Sequence, residues 1–400
     1  MNSASFVPLD IEEYEISPDR GFLPSRDPLP SITDPTASPL CELAESMPKF
    51  LAARQFRPYA DNRTIAPLKS HDGDALRCAG RILSFAGHAY VWEDPQKPAD
   101  RIPASLATAW HYVMTRLGRP PVLSYASYAL DNWRRLDPTR PVELDNIVLL
   151  QNFLGGLDEE WFVLVHVDIE AKAGRALAAI AKALEAVHQD RLEDVTLCLE
   201  QIAQAEERMV TSLLRMPERC DPYIYYNRVR PYIHGWKDNP ALPRGLLYEG
   251  VPEFESCPQQ FRGETGAQSS IIPSLDAGLG VSHEDDPLRH YLVEMREYMP
   301  PNHRAFIEAL ERMQDGAGRG LLYAYVRARK QREPRLWESF RQCIRLLGRF
   351  RETHLDYADR YIHRQSQRAA SNPTEVGTGG TPFMIYLKKH LEETDRMIQD

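Results

Sequence analysis

From residue 139 onwards, apolar residues recur every three or four positions along the chain. This spacing places the apolar side chains on one face of an α-helix. It predicts helices over residues 143–154, 158–188, 190–215, 222–235, 286–298, 301–313, 319–330, 334–364 and 382–398. The second part of the chain, residues 139–400, is therefore predicted to be a large all-helical domain.

The first part of the chain, residues 1–138, has a different pattern. Prolines are dense in the first 40 residues, which predicts an extended arm because proline cannot sustain a helix. Short helical runs follow, together with one predicted strand pair at residues 82–92, in which Gly87 would mark the turn. We therefore expect a mainly α fold, in which a small α/β domain at the N-terminus caps the helical domain.

Two stretches of the helical part, residues 237–276 and 366–382, are rich in turn-forming residues. The second ends in the sequence GTGGTP and is longer than a structural turn between two helices requires. Loops of that size are either disordered or functional lids. Length alone leaves both interpretations open.

Composition excludes several classes of protein. The 400 residues include 48 basic and 57 acidic side chains, and the formal net charge of -9 argues against nucleic acid or an anionic membrane as a partner. The longest apolar helical stretch, residues 171–187, is interrupted by charged residues, so no membrane span is predicted. Because the first residues lack a basic and an apolar leader segment, we expect a cytoplasmic location.

The cysteines offer no familiar motif. All six are far apart, with no CxxC pair, which argues against a disulfide framework and against a cysteine-based zinc site. The sequence also contains no HExxH, P-loop or GxSxG motif. A transition metal would therefore be bound mainly through imidazole or carboxylate groups.

Two histidines fall on the apolar faces of predicted helices: His354, and His166 one turn after Phe162. Each could be a core histidine bonded to a backbone carbonyl, because a buried imidazole needs partners for its ring nitrogens. Alternatively, His354 is a metal or haem ligand, and Arg351 one turn earlier meets an anionic group of the cofactor. Haem fits better than zinc, since haem iron needs one protein ligand whereas zinc needs three or four.

Residues 223–232 place four tyrosines beside two arginines. These side chains could pack one helix against its neighbours. They could also line a pocket in which an arginine binds a carboxylate and the aromatic rings contact a flat apolar group. An aromatic amino acid would match both features of such a pocket.

Six separated motifs resemble those of the indoleamine 2,3-dioxygenase family and occur in the family's order. They are WFVLVH at 161–166, RPYIHGWKDNP at 230–240, LLYEG at 246–250, GAQSS at 266–270, YMPPNHR at 298–304 and GTGGT at 377–381. The resemblance covers nearly the whole chain. It implies a two-domain protein in which ferrous b-type haem lies between long helices.

The resemblance also implies roles for individual residues on the proximal side of the haem. His354 matches the proximal iron ligand. Arg351 matches a residue near a haem propionate, and Lys237 and Asp276 match its polar neighbours.

On the distal side, the resemblance implies a substrate pocket. Its aromatic positions match Tyr125, Phe162, Tyr225 and Tyr226. Arg230 matches the arginine that binds the substrate carboxylate, and Thr378 matches a lid residue that closes over this carboxylate and the ammonium. The implied reaction inserts both atoms of O2 across the C2–C3 bond of the indole ring of L-tryptophan and gives N-formylkynurenine.

The sequence departs from the family pattern in the pocket. His166 stands where animal members have serine, and it is similar to the distal histidine of the related tryptophan 2,3-dioxygenases, so we predict a catalytic role for it. Tyr225 and Tyr226 replace phenylalanines and add hydroxyl groups to the pocket.

The third departure is the segment that holds Glu264, Thr265 and Gly266, which we assign to substrate binding. Glu264 could offer its carboxylate to the substrate ammonium or point to solvent, and we favour solvent. These departures leave the preferred substrate open, although they do not affect the predicted haem ligand.

Two other functions stay open. The chain could use haem for a different oxidation or rearrangement of a modified tryptophan, or it could be a non-catalytic haem-binding or signalling protein. For the leading prediction we expect L-tryptophan or a related indoleamine and O2 as substrates, an unidentified electron donor and a monomeric protein.

Overall fold

A computed structural model describes residues 7–68, 72–367 and 383–399. Its α-helices are α1 (Ser38–Ala52), α2 (Phe56–Asp61), α3 (Gly73–Trp92), α4 (Ala104–Arg116), α5 (Leu157–His188), α6 (Leu192–Leu214), α7 (Pro222–Ile224), α8 (Arg230–Ile233), α9 (Ile271–Leu279), α10 (Pro287–Met295), α11 (Pro301–Glu311), α12 (Leu321–Arg329), α13 (Pro334–Ala358), α14 (Arg364–Ser366) and α15 (Phe383–Gln399). Its strands are β1 (Arg101–Ile102), β2 (Trp133–Arg135), β3 (Ile147–Leu149) and β4 (Leu247–Tyr248). The predicted mainly α fold class is confirmed.

Three long helices form the centre of the molecule. α5 packs along α6, α6 packs along α13, and α13 packs against α15. The first turn of α5 contains three acidic residues, whose negative charges interact favourably with the positive end of the helix dipole. One of them, Glu159, accepts hydrogen bonds from the backbone N–H groups of Phe153, Leu154 and Gly155, and so fixes the loop that leads into the helix.

The strand pair predicted at residues 82–92 is wrong, because these residues belong to α3. α3 is buried on most of its surface, so its apolar residues show no clear helical period. Gly87 does not form a turn. A Cβ atom at Gly87 would lie 2.1 Å from the ring of Trp110, so the glycine allows α3 to pack closely against α4.

The helix predicted at residues 143–154 is also wrong. This segment contains β3, which pairs antiparallel with β2, with Trp133 opposite Leu149. β1 and β4 form a second, parallel pair, with Arg101 opposite Leu247. This second pair joins the predicted N-terminal and helical parts, whose division after residue 138 stays a prediction.

Within the described residues, three helical turns are of the wide π type, at Ala126–Leu130, Tyr225–Val229 and Asp359–His363. The helix predicted at 222–235 is therefore divided into α7, a π turn and α8, and the helix predicted at 334–364 changes to a π turn after Ala358. Such turns often occur beside functional sites because they reorient side chains. In the part of the chain that the structure describes, no helix combines the length and apolar character that a bilayer crossing requires.

Candidate active site

A cavity of about 870 Å³ lies among α5, α9, α13, α15 and residues 264–269. This volume is in the range typical of sites for cofactors and small molecules. Nine of the residues predicted for the site line it: Phe162, His166, Tyr225, Glu264, Thr265, Gly266, Asp276, Arg351 and His354. The fold thus brings together residues that are almost 200 positions apart in the sequence.

His354 lies on α13 and lines this cavity. Its side chain is open to the cavity interior although protein surrounds it, and no hydrogen-bond partner for its ring occurs within residues 7–68, 72–367 and 383–399. Burial, the larger cause, and the proximity of His166 lower the pKa of His354 to about 4. The ring is therefore neutral at neutral pH and presents a lone pair to the cavity, unlike a core histidine bonded to a carbonyl.

Arg351 lies one turn before His354 and is held by Asp276 of α9. Its Nη2 donates to both carboxylate oxygens of Asp276, at 2.8 and 2.6 Å, and its Nη1 donates to Thr394 of α15. Burial opposes ionisation of Asp276, but the positive charges of Arg351 and His283 hold the pKa of this carboxyl below its usual range. A fixed guanidinium beside the cavity can meet an anionic group of a bound cofactor.

Lys237 does not join this group. Its Nζ lies 2.6 Å from Oε1 of Glu294, which also accepts a hydrogen bond from Arg262. Lys237 is not among the residues that line the cavity. Its predicted place beside Arg351 and Asp276 is therefore not seen in the structure.

The His166 ring has a defined tautomer. Its Nδ1 lies 2.7 Å from the backbone oxygen of Phe162, so Nδ1 carries the hydrogen and donates it. Burial lowers the pKa of His166, which keeps the ring neutral. Nε2 is left as a hydrogen-bond acceptor on a residue that lines the cavity.

Aromatic rings form the wall beside His166. The Phe162 ring lies 4.7 Å from the His166 ring and 4.6 Å from the Tyr225 ring, measured between centroids. Tyr361, from the π turn after α13, meets Tyr225 edge-on at 5.9 Å. This wall offers flat apolar surfaces for an aromatic ligand.

Tyr125, Tyr226 and Arg230 are buried and do not line the cavity. The Tyr125 hydroxyl donates to Oε1 of Glu170 at 2.9 Å. The guanidinium of Arg230 lies 5.1 Å from the centre of the Tyr226 ring. Arg230 is fully buried, and burial lowers its pKa.

Glu264 is buried, so the expectation that it points to solvent is wrong. Only 4% of its surface is exposed, and burial raises the pKa of its carboxyl to about 8. The backbone of Gly263, the residue before Glu264, packs closely against the backbone of Gly235. A Cβ atom on Gly263 would lie 2.2 Å from the backbone nitrogen of Gly235. The N–H of Glu264 then donates to the backbone oxygen of Ile233 at 3.1 Å.

The next two residues, Thr265 and Gly266, also line the cavity. Thr265 caps the short helical turn Gly266–Gln268 by accepting a hydrogen bond from the N–H of Ala267. Thr378, predicted as the lid residue, lies outside the described residues.

Two features near the site were not predicted from the sequence. Glu170, one turn after His166, is fully buried and accepts hydrogen bonds from Tyr125 and Ser269, and burial raises its pKa to about 7. His283 lies between Asp276 and Glu393. The helical period of α5 could have identified Glu170 as a buried carboxylate, whereas no local pattern marks His283, which lies in a loop.

The residues present fit a haem. A neutral histidine faces an apolar cavity with its lone pair available, as an axial iron ligand requires, and a fixed arginine on the same helix can meet a propionate. Aromatic rings and a neutral acceptor histidine line the same cavity. The helical fold and this site are those expected of a haem-dependent enzyme that acts on a flat, aromatic substrate.

Comparison with known proteins agrees with this class. The family model described as indoleamine 2,3-dioxygenase matches residues 10–397. The chain is 31% identical to human indoleamine 2,3-dioxygenase 2 over 98% of this chain and 96% of that protein. It is 34% identical to rat indoleamine 2,3-dioxygenase 1, over 97% of this chain and 95% of the relative. It is 28% identical to a 6-hydroxytryptophan 2,3-dioxygenase of Fusarium equiseti, over 95% of each chain.

The chain therefore belongs to the indoleamine 2,3-dioxygenase family. Members of this family are haem-dependent dioxygenases, so the protein is an oxidoreductase that uses haem and O2 on a tryptophan-type substrate. The predicted resemblance is confirmed.

Proposed function

We propose that the enzyme inserts both atoms of O2 across the indole C2–C3 bond of L-tryptophan and releases N-formylkynurenine. The observation that carries the proposal is His354, whose neutral ring faces an apolar cavity and has no hydrogen-bond partner in the described part of the chain. We propose that His354 holds a b-type haem, kept ferrous by an electron donor. When bound, the haem iron supplies the position at which O2 is activated.

His354 and Arg351 would hold this cofactor from α13. The lone pair of His354 would bind the iron, and Arg351, which Asp276 fixes, would meet a propionate. Both side chains lie on one helix and one of them is fixed by α9, so they need little reordering when the cofactor binds. Pre-organisation of this kind favours tight haem binding.

The substrate would lie against the aromatic wall. Phe162 and Tyr225 contact the indole ring and exclude water, and Nε2 of His166 accepts a hydrogen bond from the indole N–H. Arg230 does not line the cavity in this structure, and we propose that its guanidinium reaches the substrate carboxylate when the substrate is bound. These roles place the electron-rich ring in a dry pocket and hold it by both ends.

The activity is tested with haem-loaded protein that is reduced without oxygen, mixed with L-tryptophan and then exposed to O2. Formation of N-formylkynurenine, followed by its near-ultraviolet absorbance, is the expected result. His354→Ala protein treated in the same way is the control and should give no product. A haem-replete wild-type enzyme that forms no product would refute the proposal, and a normal ferrous–CO spectrum without turnover would favour a non-catalytic haem protein.

A modified tryptophan is the second candidate substrate. The buried carboxyl of Glu264 and the Tyr225 hydroxyl make the pocket more polar than a plain indole requires. One relative is named for action on 6-hydroxytryptophan. A panel of substituted indoles separates the two proposals, because turnover confined to a hydroxylated or otherwise modified indole would favour the second.

A further inference from the structure

We propose that His283, His390 and Glu393 form a binding site for a divalent metal ion of the zinc class, which fastens the C-terminal helix α15 to the loop after α9. Each of the three residues offers one ligand atom, and these atoms all lie within 4.8 Å of one another. None of the three is a predicted haem ligand. All three line the cavity assigned to the haem, but the proposal does not depend on which reaction the enzyme performs.

The fold brings these three side chains together from two elements. α9 ends at Leu279, and the next residue, Gly280, turns the chain out of the helix with a φ of +79°. His283 follows three residues later. His390 and Glu393 are three residues apart on α15, so they project from the same face of the helix. The rings of His283 and His390 lie parallel, with centroids 4.3 Å apart.

Glu393 is held with one oxygen directed into this cluster. Its Oε1 accepts a hydrogen bond from the backbone N–H of Glu284 at 3.2 Å, whereas Oε2 faces Nδ1 of His283 at 2.5 Å. The residue is only 5% exposed. A buried carboxylate fixed through one oxygen presents the other as a pre-oriented ligand atom.

His283 has the outer partner that metal-binding histidines usually have. Its Nε2 lies 3.0 Å from Oδ2 of Asp276. A carboxylate on the far nitrogen orients the ring and makes the near nitrogen a stronger ligand. Asp276 is itself fixed by Arg351, so the support extends to α13.

The contact between His283 and Glu393 shows where the ion would lie. Nδ1 of His283 and Oε2 of Glu393 are 2.5 Å apart, the separation of a hydrogen-bonded pair. His390 offers a ligand atom within 4.8 Å of a ligand atom on each of these two residues. A cation bound among the three residues would displace the hydrogen that His283 and Glu393 share.

Two imidazole nitrogens and one carboxylate oxygen are the ligand set of many zinc sites, in which water takes the fourth position. Lys389 is a neighbouring cation, with Nζ 3.9 Å from Oε1 of Glu393, and it pairs with Glu284 and Asp286. Its charge is thus already compensated by carboxylates outside the cluster. Zinc would take the place of the shared proton and be coordinated by residues from both elements.

The test is isothermal titration of tag-free, haem-loaded enzyme with zinc chloride, in two buffers that differ in ionisation enthalpy. Haem loading keeps His354 from binding zinc. We expect one zinc ion per chain and a buffer-dependent heat that reports proton release. His390→Ala and Glu393→Gln should weaken binding by at least about 10-fold to 100-fold, the range that loss of even an outer-shell partner produces.

His290→Ala is the matched control, since His290 is exposed, lies on the neighbouring helix α10 and pairs only with Asp285 among the described residues. This variant should bind zinc as the wild type does. Zinc should also raise the melting temperature of the wild type but not of His390→Ala, because binding to the folded state stabilises it. A wild type that binds no zinc, or His390→Ala and Glu393→Gln variants that are folded and bind zinc as tightly as the wild type, would overturn the proposal.

Discussion

The substitution Glu264→Gln tests whether a buried, neutral carboxyl group lines the cavity. Glu264 is 4% exposed, and burial raises its pKa from the usual 4.5 to about 8. Glutamine has nearly the same shape and hydrogen-bonding capacity but does not ionise. The variant therefore removes the ionisation and keeps the packing.

The effect on stability follows from proton linkage. The folded protein binds the Glu264 proton more tightly than the unfolded chain, so unfolding releases a proton at pH values between 4.5 and about 8. Stability contributed by this proton is complete below pH 4.5 and is lost as the pH rises through about 8. Each pKa unit corresponds to about 1.4 kcal/mol. Over the whole range the loss is on the order of 4 to 5 kcal/mol.

The assay is urea unfolding of the haem-loaded wild type and Glu264→Gln variant over this pH range. The wild type should lose stability relative to the variant by about 1.4 kcal/mol per pH unit between the two pKa values, and the difference should level off above about pH 8. Glu159 and Glu170, whose pKa values burial raises to about 7, titrate in both proteins and cancel in the difference. Parallel pH dependences for the two proteins would refute the buried, neutral state of Glu264.

Three further predictions concern the pocket. Replacement of Arg230 by Gln should raise the dissociation constant for L-tryptophan by about 30-fold to 150-fold, because the proposed charge-assisted contact is lost, and should leave the Soret band unchanged. An unchanged affinity in a spectral titration would contradict the proposed role of Arg230 in binding the carboxylate. His166→Ala should weaken binding of L-tryptophan by about 10-fold. It should not change binding of 1-methyltryptophan, because that ligand has no indole N–H. Equal losses of affinity for both ligands would exclude the proposed hydrogen bond between His166 and the indole N–H. Gly263→Ala should destabilise the protein by about 1 to 3 kcal/mol in thermal unfolding, because the added Cβ meets the backbone of Gly235. Gly266→Ala is the control and should be nearly neutral, because nothing lies within 4 Å of its added Cβ.

The long amphipathic helices were predictable from the sequence because each buries one face. The predicted bounds 158–188 and 190–215 agree with α5 and α6 to within two residues at each end. α3 was not predictable in this way, because it is buried on most sides and its apolar run resembles a strand pair. The glycine that suggested a turn is explained only by Trp110, which is distant in sequence.

The same contrast holds within the site. His354 and His166 could be selected from the sequence because both interrupt an apolar stripe, and the structure brings both to one cavity. The burial of Glu264 could not be predicted, since it depends on the backbone crossing of Gly235 and Gly263. π turns at Tyr225–Val229 and Asp359–His363 are equally invisible to a count of helical period, although they set the contact between two aromatic rings of the wall.

The visible absorption spectrum of purified, haem-reconstituted protein tests the proposed place of the cofactor most directly. The spectrum is recorded for the wild type and for His354→Ala, before and after reduction with dithionite and addition of CO. If His354 is the iron ligand, the wild type shows a full Soret band that shifts with CO, and the variant retains little or no haem after gel filtration. A His354→Ala protein that keeps a full Soret band with the same ferrous–CO spectrum would contradict the assignment.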